Sequence, residues 1–384
     1  MVKHHFPTTI INDFHINEKK NDISIKDKLK IIKNNFYNKE AYYKLSELIE
    51  KEKPDIAYVL QYGSKLSISI FDACSKHKLP VVLRLSDFNL VCAKNIFFRN
   101  GKTCTKCISN KLNSVKYKCV HDSLSQSFFY YLSQKFNQLR KFEKQIDAYI
   151  APSKFTIDLI KQNKQFSSSN FYHIPTFIEH AKLSNKIPSR EHQQKNGIKL
   201  CYWGRIDEDK GIDILIDAIK SVTDKGFKIS LTIIGNTDSN FAKKQIQRKK
   251  ELKLDNIFFS GYIHNEEIYE LISDSHYSVI PSKWYDNMPN SLIESCTLGI
   301  PPIVSQTGSL NELINDGVNG FSFTTSNSKA LSEKIQSLYK LDEKTYNQIS
   351  DECMRWINNY CDRKSHYKKL VDVFNQVIHE KNNK

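Results

Sequence analysis

The sequence predicts an α/β protein with two parallel sheets in two domains. Short apolar segments alternate with helical patterns from end to end, which favours parallel strands joined by helices. Two such series are separated by Ile174–Gly197, a segment with Pro175, Pro188 and little periodicity. A length of 384 residues also suits two domains.

The first series contains three predicted strands with helices between them. Apolar and β-branched residues cluster in short runs, and each run lies between polar segments. This pattern is typical of buried strands. The strands are predicted at Ile56–Leu60, Val81–Leu85 and Ala148–Ala151, and the helices at Tyr42–Lys51 and Leu66–Lys76.

The second series contains five predicted strands and a helix with one buried face. That helix covers Gly211–Val222, because its apolar residues recur at helical spacing. A last helix is expected near Ser365–His379. The strands are predicted at Lys199–Trp203, Ser230–Ile234, Ile257–Phe259, Tyr277–Ile280 and Pro302–Ser305.

The composition favours a folded cytoplasmic protein. Hydrophobic residues make up 40% of the chain and aromatic residues 11%, which excludes a disordered protein. No apolar run approaches the ~18 residues that a membrane-spanning helix needs. Nine cysteines, without an apolar signal segment at the N-terminus, indicate reduced thiols.

The net charge of +15 lies almost entirely in the first half. Residues 1–175 carry 29 Lys and Arg against 15 acidic residues, whereas residues 176–384 carry 28 against 27. An anionic membrane surface, a lipid-linked phosphate or nucleic acid would attract such a half. A general compositional bias toward Lys would produce the same excess, so both explanations remain open.

A strand, a glycine and two cations form the first candidate motif. The strand ends at Gly204, Arg205 follows, and Lys210 opens the next helix. Ligands bind beyond the carboxyl ends of strands in open α/β sheets. Arg205 and Lys210 could therefore hold a diphosphate. The alternative is a surface loop in which Arg205 pairs with Asp207 or Asp209.

Two acids that flank a helix start form the second motif. Asp286 precedes the turn Asn287-Met288-Pro289, and Glu294 comes eight residues after Asp286. This spacing fits a loop acid and a helical acid that converge on one ligand. Backbone N–H groups at the helix start would attract an anion between them. Alternatively, Asp286 caps a turn and Glu294 is an exposed helical residue.

Together these motifs resemble the second domain of retaining glycosyltransferases of the GT-B fold, family four, also called group 1. The order and spacing match across roughly residues 150–325, from Ala151-Pro152-Ser153 onward. The matching residues are Gly204-Arg205, Lys210-Gly211, Pro281-Ser282, Asp286, Glu294, Gly308 and Glu312.

The resemblance implies two Rossmann-like domains that face a cleft. It places the acceptor-side domain at 1–175, the nucleotide-sugar domain at 176–362, and a C-terminal helix, 363–384, that packs back on the first domain. It implies donor contacts from Gly204, Arg205, Lys210, Asn287, Met288, Pro289, Asn290 and Ser291, with Asp286 toward the sugar and Glu294 toward the ribose.

The first half departs from the resemblance. Ser86 stands where many relatives have His, and Asp286 replaces the usual Glu. The first residues also show no strand followed by a Gly-rich loop, so the N-terminal sheet is expected to be reduced or its beginning absent. These departures leave a second hypothesis open, a catalytically degenerate protein that binds sugar nucleotides.

Four cysteines suggest a structural metal site in the insertion 89–122. Cys92, Cys104, Cys107 and Cys119 have the spacing C-x11-C-x2-C-x11-C, and four thiolates could hold a structural zinc ion. The alternative is four free thiols in a polar loop. The resemblance itself implies no essential cofactor.

An aromatic and basic helix is predicted after this insertion. The run Phe128-Phe129-Tyr130-Tyr131-Leu132 leads into Phe136, Leu139 and Phe142, and the basic residues between them are Lys135, Arg140, Lys141 and Lys144. The favoured interpretation is that the aromatic stripe packs on its own sheet while the basic face can touch lipid.

The resemblance therefore implies transfer of a hexose from a nucleotide diphospho-sugar to an acceptor hydroxyl, with retention, in the synthesis of a surface polysaccharide, capsule or lipopolysaccharide. The acceptor is expected to be a glycan or a lipid-linked glycan, at the inner membrane face. We find no helix-turn-helix, zinc-finger or RNA-binding motif and therefore expect no nucleic-acid partner.

Overall fold

The structure, a computed structural model, describes residues 33–34, 36–177 and 197–383. It contains two separate parallel sheets and a small antiparallel hairpin. The prediction of an α/β protein with two parallel sheets is thereby confirmed. The predicted interdomain segment lies mostly outside the described residues.

The first sheet has four described strands in the order β1-β2-β5-β6, all parallel. A hairpin, β3–β4, and three helices lie between its second and third strands. The elements are α1 Lys39–Glu52, β1 Ala57–Val59, α2 Gly63–Leu66, α3 Ser69–Lys76, β2 Val81–Arg84, β3 Phe98–Arg99, β4 Lys102–Thr103, α4 Lys106–Ser109, α5 Asn113–Lys116, α6 Leu124–Leu139, a 3-10 turn Phe142–Gln145, β5 Ala148–Ala151, α7 Lys154–Lys161 and β6 Phe171–His173.

The second sheet has six described strands in the order β12-β11-β10-β7-β8-β9, again all parallel. The winding of the chain starts at β7, runs outward to β9, and then reverses to β10 on the other side of β7. The elements are β7 Ile198–Trp203, α8 Ile212–Asp224, β8 Ile229–Ile234, α9 Asn240–Glu251, β9 Ile257–Gly261, α10 Asn265–Ser273, β10 Tyr277–Ile280, α11 Asn290–Thr297, β11 Pro302–Ser305, α12 Leu310–Leu313, β12 Phe321–Phe323, α13 Ser328–Leu338, α14 Glu343–Tyr360 and α15 Arg363–Asn382.

Each sheet has its own apolar core. In the second domain, the buried face of α8 packs on the strands, as the spacing of Ile212, Leu215 and Ile219 predicts. In the first domain, Phe71, Phe142 and Phe166 are fully buried around Tyr149. Two independent cores keep the sheets as separate units and leave their facing edges for a shared site.

The last helix, α15, packs on the first sheet rather than on the domain it follows. Val373 and Val377 are buried against Val82 and Ile150. Lys381 Nζ lies 2.9 Å from Asp147 Oδ1 at the far end of the helix. The chain therefore crosses back to the first domain at its end.

Strands that the sequence analysis omitted lie mostly at sheet edges. β6 and β12 have three residues each and carry little periodicity, and the β3–β4 hairpin has two residues a strand. Such short segments have no distinctive pattern. Strand pairing rather than local sequence places them.

The prediction that the aromatic stripe of α6 packs on its own sheet is wrong for the residues on the outer face of the helix. Phe128, Phe129 and Leu139 are exposed, whereas Phe136 packs against the apolar core, Phe142 is buried within it, and the Tyr130 hydroxyl is also buried. The helix instead buries the small polar residues Ser127, Ser133 and Asn137. The prediction therefore holds for Phe136 and Phe142 and fails for the outer face, because the apolar run alone does not show which of its residues face the sheet.

Candidate functional site

The candidate site lies where the winding of the second sheet reverses, between β7 and β10. In doubly wound sheets this point forms a crevice at the carboxyl ends of the strands. The loop after β7 covers residues 204–211 and the loop after β10 covers residues 281–289. The predicted cations and acids lie on these two loops and on α11, which follows the second loop.

Backbone contacts hold the two loops together. The N–H of Lys283 donates to the carbonyl of Asp209 at 2.8 Å. Gly211, at φ 72°, lies so close to Pro281 that a Cβ on it would stand 2.0 Å from the Pro281 carbonyl oxygen. Only glycine fits this contact. The site geometry therefore depends on the residue type at 211.

Lys210 and Asp286 form the centre of the arrangement. Lys210 Nζ lies 2.8 Å from Asp286 Oδ1, and both side chains are largely removed from water. The Ser282 hydroxyl donates to the other carboxylate oxygen of Asp286. The ammonium group of Lys210 also lies 4.8 Å from the centroid of the Trp284 ring. The fold thus fixes a cation and an acid of the two motifs against one another.

Arg205 is half exposed and pairs with two acids of its own loop, Asp207 and Asp209. Asp209 is buried, so one side of the guanidinium is anchored to the protein while Asp207 holds the other at the surface. The structure thus shows the pairing that the alternative interpretation of this motif expects. It also points the cation toward solvent at the edge of the sheet where Lys210 lies.

Glu294 lies in the middle of α11, and its side chain is partly buried. Its carboxylate accepts hydrogen bonds from Trp203 Nε1, at the end of β7, and from Tyr269 on α10. Burial raises the pKa of Glu294 above its ordinary value, and the two hydrogen bonds oppose that shift. The interpretation of Glu294 as an exposed helical residue is therefore wrong.

The structure places Arg205 and Glu294 around the end of the same strand. Glu294 contacts Trp203, and Arg205 follows Trp203 by two residues. They do not lie on opposite sides of the domain. The sequence analysis missed Trp203, Tyr269 and Ser282 as partners of the acids. An indole or hydroxyl beside a carboxylate leaves no mark on local periodicity.

The start of α11 presents backbone N–H groups beside these side chains. Its N-cap is Pro289, and no side chain caps the helix. Asn290 is exposed and Ser291 half-buried, whereas Met288 is buried in an apolar cluster. The uncapped N–H groups of this turn suit an anionic ligand. Met288 supports the turn and does not face that position with its side chain.

Asn287 connects the candidate site to the first domain. Its amide nitrogen donates to the carbonyl of Leu85 at 2.9 Å, and its amide oxygen accepts from the Thr156 hydroxyl. Leu85 follows β2, and Ser86 comes next, with its hydroxyl 3.2 Å from the Leu60 carbonyl. The carboxyl end of the first sheet therefore faces the loop that carries Asp286.

Glu312 makes a second connection between the domains. Its carboxylate accepts the backbone N–H groups of Lys154 at 3.1 Å and of Phe155 at 2.7 Å, at the start of α7. Tyr285 packs edge-on against Phe155, with ring centroids 5.0 Å apart. The loop after β10 and helix α12 of the second domain therefore contact the first domain directly.

The four cysteines of the insertion lie near one another without forming a metal-binding arrangement. Burial, and then the neighbouring thiols of Cys92, Cys119 and Cys104, raise the pKa of Cys107 to about 12. Over residues 33–34, 36–177 and 197–383, no three His, Cys, Asp or Glu side chains are placed to hold a metal ion. The zinc site stays a prediction without geometric support.

No helix within the described ranges is both long and apolar enough for a bilayer crossing.

Residues 184–356 match the family model described as glycosyl transferases group 1. This match covers the second domain, including both loops of the candidate site. It agrees with the motifs that suggested the family.

Two curated relatives illustrate the sequence similarity. The capsular polysaccharide biosynthesis glycosyltransferase CapM of Staphylococcus aureus is 26% identical over 247 residues, 60% of each chain. An uncharacterized glycosyltransferase of Methanocaldococcus jannaschii is 25% identical over 303 residues, 74% of this chain and 75% of that protein. The chain spans about three fifths of the length of the Staphylococcus relative and of a Klebsiella pneumoniae relative from a cps region.

Solved structures show the same fold at low sequence identity. A glycosyltransferase from Rickettsia africae has a TM-score of 0.67 at 16% identity, over 93% of this chain and 84% of that one. HepE from Anabaena, solved with UDP and glucose, has a TM-score of 0.63 at 14% identity, over 86% and 80%. The fold is therefore that of the GT-B glycosyltransferases, with two Rossmann-like domains.

Proposed function

We propose that this chain transfers a sugar from a nucleotide diphospho-sugar to an acceptor hydroxyl, with retention of the anomeric configuration. The observation that carries the proposal is the convergence of Lys210, Asp286 and the uncapped start of α11 at the reversal point of the second sheet. Cations and helix N–H groups suit a diphosphate, and the adjacent acids suit sugar hydroxyls.

In this proposal the donor lies across the two loops. Arg205, Lys210 and the N–H groups of Asn290 and Ser291 bind the diphosphate, and Gly204 allows it to approach the backbone. Glu294 accepts hydrogen bonds from the ribose. Asp286 faces the transferred sugar, and the backbone of Asn287–Pro289 lines the position between sugar and phosphate.

The main electrostatic contribution is stabilisation of the leaving group. The bond between the anomeric carbon and the phosphate oxygen breaks while a bond to the acceptor oxygen forms. Negative charge grows on the diphosphate, and in this proposal Arg205 and Lys210 stabilise it. The acceptor proton passes to the departing phosphate, and we propose no essential metal.

The proposed acceptor is a growing surface glycan on a lipid carrier, and the proposed location is the inner face of the membrane. The Staphylococcus relative named for capsular polysaccharide biosynthesis supports this setting, as does an amylovoran biosynthesis glycosyltransferase of Erwinia amylovora, 25% identical over 159 residues. The basic first half suits phosphate-bearing acceptors.

A transfer and hydrolysis assay tests the proposal. Uridine diphosphate sugars are the first donors to try, because the Anabaena neighbour was solved with UDP. We expect release of UDP by the wild type and loss of most activity in Glu294→Ala, with an α-linked product from an α-linked donor. Donor binding without turnover by the wild type would favour the degenerate binder instead.

A further inference from the structure

The outer face of α6 carries an apolar stripe. Leu124, Phe128 and Leu132 follow each other at intervals of four residues and are 57%, 46% and 37% exposed. Leu139 continues the same side of the helix at 80% exposure, and Phe129 adjoins the stripe at 42%. Residues at this spacing lie on one face of a helix.

The inner face of the same helix combines aromatic and polar residues: Phe136 packs against the apolar core, and the Tyr130 hydroxyl is buried. Ser127, Ser133 and Asn137 are buried. The Ser127 hydroxyl accepts the backbone N–H of Val120 at 3.0 Å, which fixes the helix against the segment before it. Rotation of α6 to hide the stripe would break these contacts, so the exposed face is built into the fold.

Positive charge surrounds this stripe. Residues 89–144 contain eleven Lys and Arg against two acidic residues. Lys135 lies on the stripe itself, and Lys141 and Lys144 are exposed just beyond its end. An apolar face that is surrounded by lysine and arginine residues suits a partner that is both apolar and anionic. A second copy of the same face would repel it.

We propose that the outer face of α6 docks on an anionic lipid bilayer. The apolar side chains enter the interfacial region, and the lysines contact headgroup phosphates. The choice of a bilayer as the partner rests on the proposed function, because a lipid-linked acceptor would reach the first domain from the same bilayer. The exposed apolar face itself does not depend on that function.

Flotation with lipid vesicles tests the surface. The full chain is mixed with vesicles of phosphatidylcholine alone, or of phosphatidylcholine with phosphatidylglycerol. We expect flotation with the anionic vesicles only, and weaker binding as salt is added. Joint substitution of Phe128→Ser, Leu132→Ser and Leu139→Ser should reduce the bound fraction about tenfold or more.

A matched variant controls for the loss of exposed apolar area. Phe258→Ser, Val318→Ser and Tyr367→Ser alter residues that are 60%, 45% and 68% exposed elsewhere on the molecule, and they should leave flotation unchanged. Equal flotation of the α6 variant and wild type would overturn the inference. So would a dimer that the α6 variant abolishes, without any vesicle binding.

Nucleotide binding in the same preparations separates this inference from the proposed function. A chain that binds UDP but no anionic vesicles refutes the membrane surface alone. A chain that floats with vesicles and binds no nucleoside diphosphate refutes the proposed donor site alone.

Discussion

At the scale of single residues, the environment of Glu294, the second acid of the acid pair, determines which interactions its carboxylate can make. Trp203 and Tyr269 donate to it inside a partly apolar setting. Both donors engage the carboxylate as an acceptor, and this is the role that the proposed function assigns to it toward ribose hydroxyls.

Substitution Glu294→Gln should separate binding from stability. Burial raises the pKa of Glu294 in the folded chain, so its favourable contribution exists at low pH and is lost as pH rises through that pKa. Neutral Gln avoids this loss. We expect thermal unfolding of the variant at pH 7 to occur at or above the wild-type temperature, with the difference shrinking in acid.

The same variant should bind donor about tenfold more weakly, because a charged acceptor of ribose hydroxyls is lost. Titration calorimetry with UDP measures this effect. A variant that is less stable than wild type at neutral pH, and equal to it in acid, would show that the burial of Glu294 has been misjudged.

The sequence alone could identify the residues of this site but not their pairing. Gly204, Arg205, Lys210, Asp286 and Glu294 are visible as motifs because their order along the chain is distinctive. That Lys210 pairs with Asp286 depends on strand order, since β7 and β10 are neighbours only in the folded sheet. Local patterns carry no information about that adjacency.

At the scale of elements, the two loops act as one unit because of Gly211. Strands β7, β10 and β11 are predicted within one residue, because each is a short and mostly apolar run between loops. The close contact of Gly211 with Pro281 was not predicted, since it joins segments seventy residues apart in the chain.

Substitution Gly211→Ala should disturb both stability and donor binding. The added Cβ would clash with the Pro281 carbonyl oxygen. Alanine at this position would also have to adopt a left-handed backbone conformation. Gly226→Ala is the matched control, because Gly226 has φ 80° with no atom within 4 Å of the added Cβ.

We expect Gly211→Ala to cost roughly 1–3 kcal/mol more than Gly226→Ala, from the steric clash alone. Urea denaturation measures the free energy of unfolding of each variant, and calorimetric titration measures its affinity for UDP. Equal costs and equal affinities in the two variants would mean that the loops adjust freely and do not fix the site.

At the scale of the whole molecule, side-chain contacts join the two sheets across the candidate site. Glu312 holds the start of α7, and Asn287 joins the end of β2 to the loop after β10. The sequence predicted two domains but gave no means to see these contacts. Residue pairs 131 to 202 positions apart leave no local pattern.

Substitution Glu312→Ala should loosen the domains without harming the donor site. Two backbone N–H groups would lose their acceptor, so the radius of gyration from solution scattering should rise. Transfer efficiency should fall severalfold while UDP affinity stays near wild type. Glu333→Ala, at an exposed site paired with Lys329, is the control. An unchanged scattering curve together with full transfer activity would contradict the role of Glu312.

The central claim is that Lys210 and its neighbours bind a diphosphate at the reversal point of the second sheet, and calorimetric titration of UDP tests it most directly. We expect Lys210→Met to bind about ten- to a hundredfold more weakly than wild type, from the loss of one charge-assisted contact. Lys220→Met, which removes an exposed lysine paired with Asp224 in the same domain, should bind like wild type. Equal affinity of a folded Lys210→Met variant and wild type would contradict the claim.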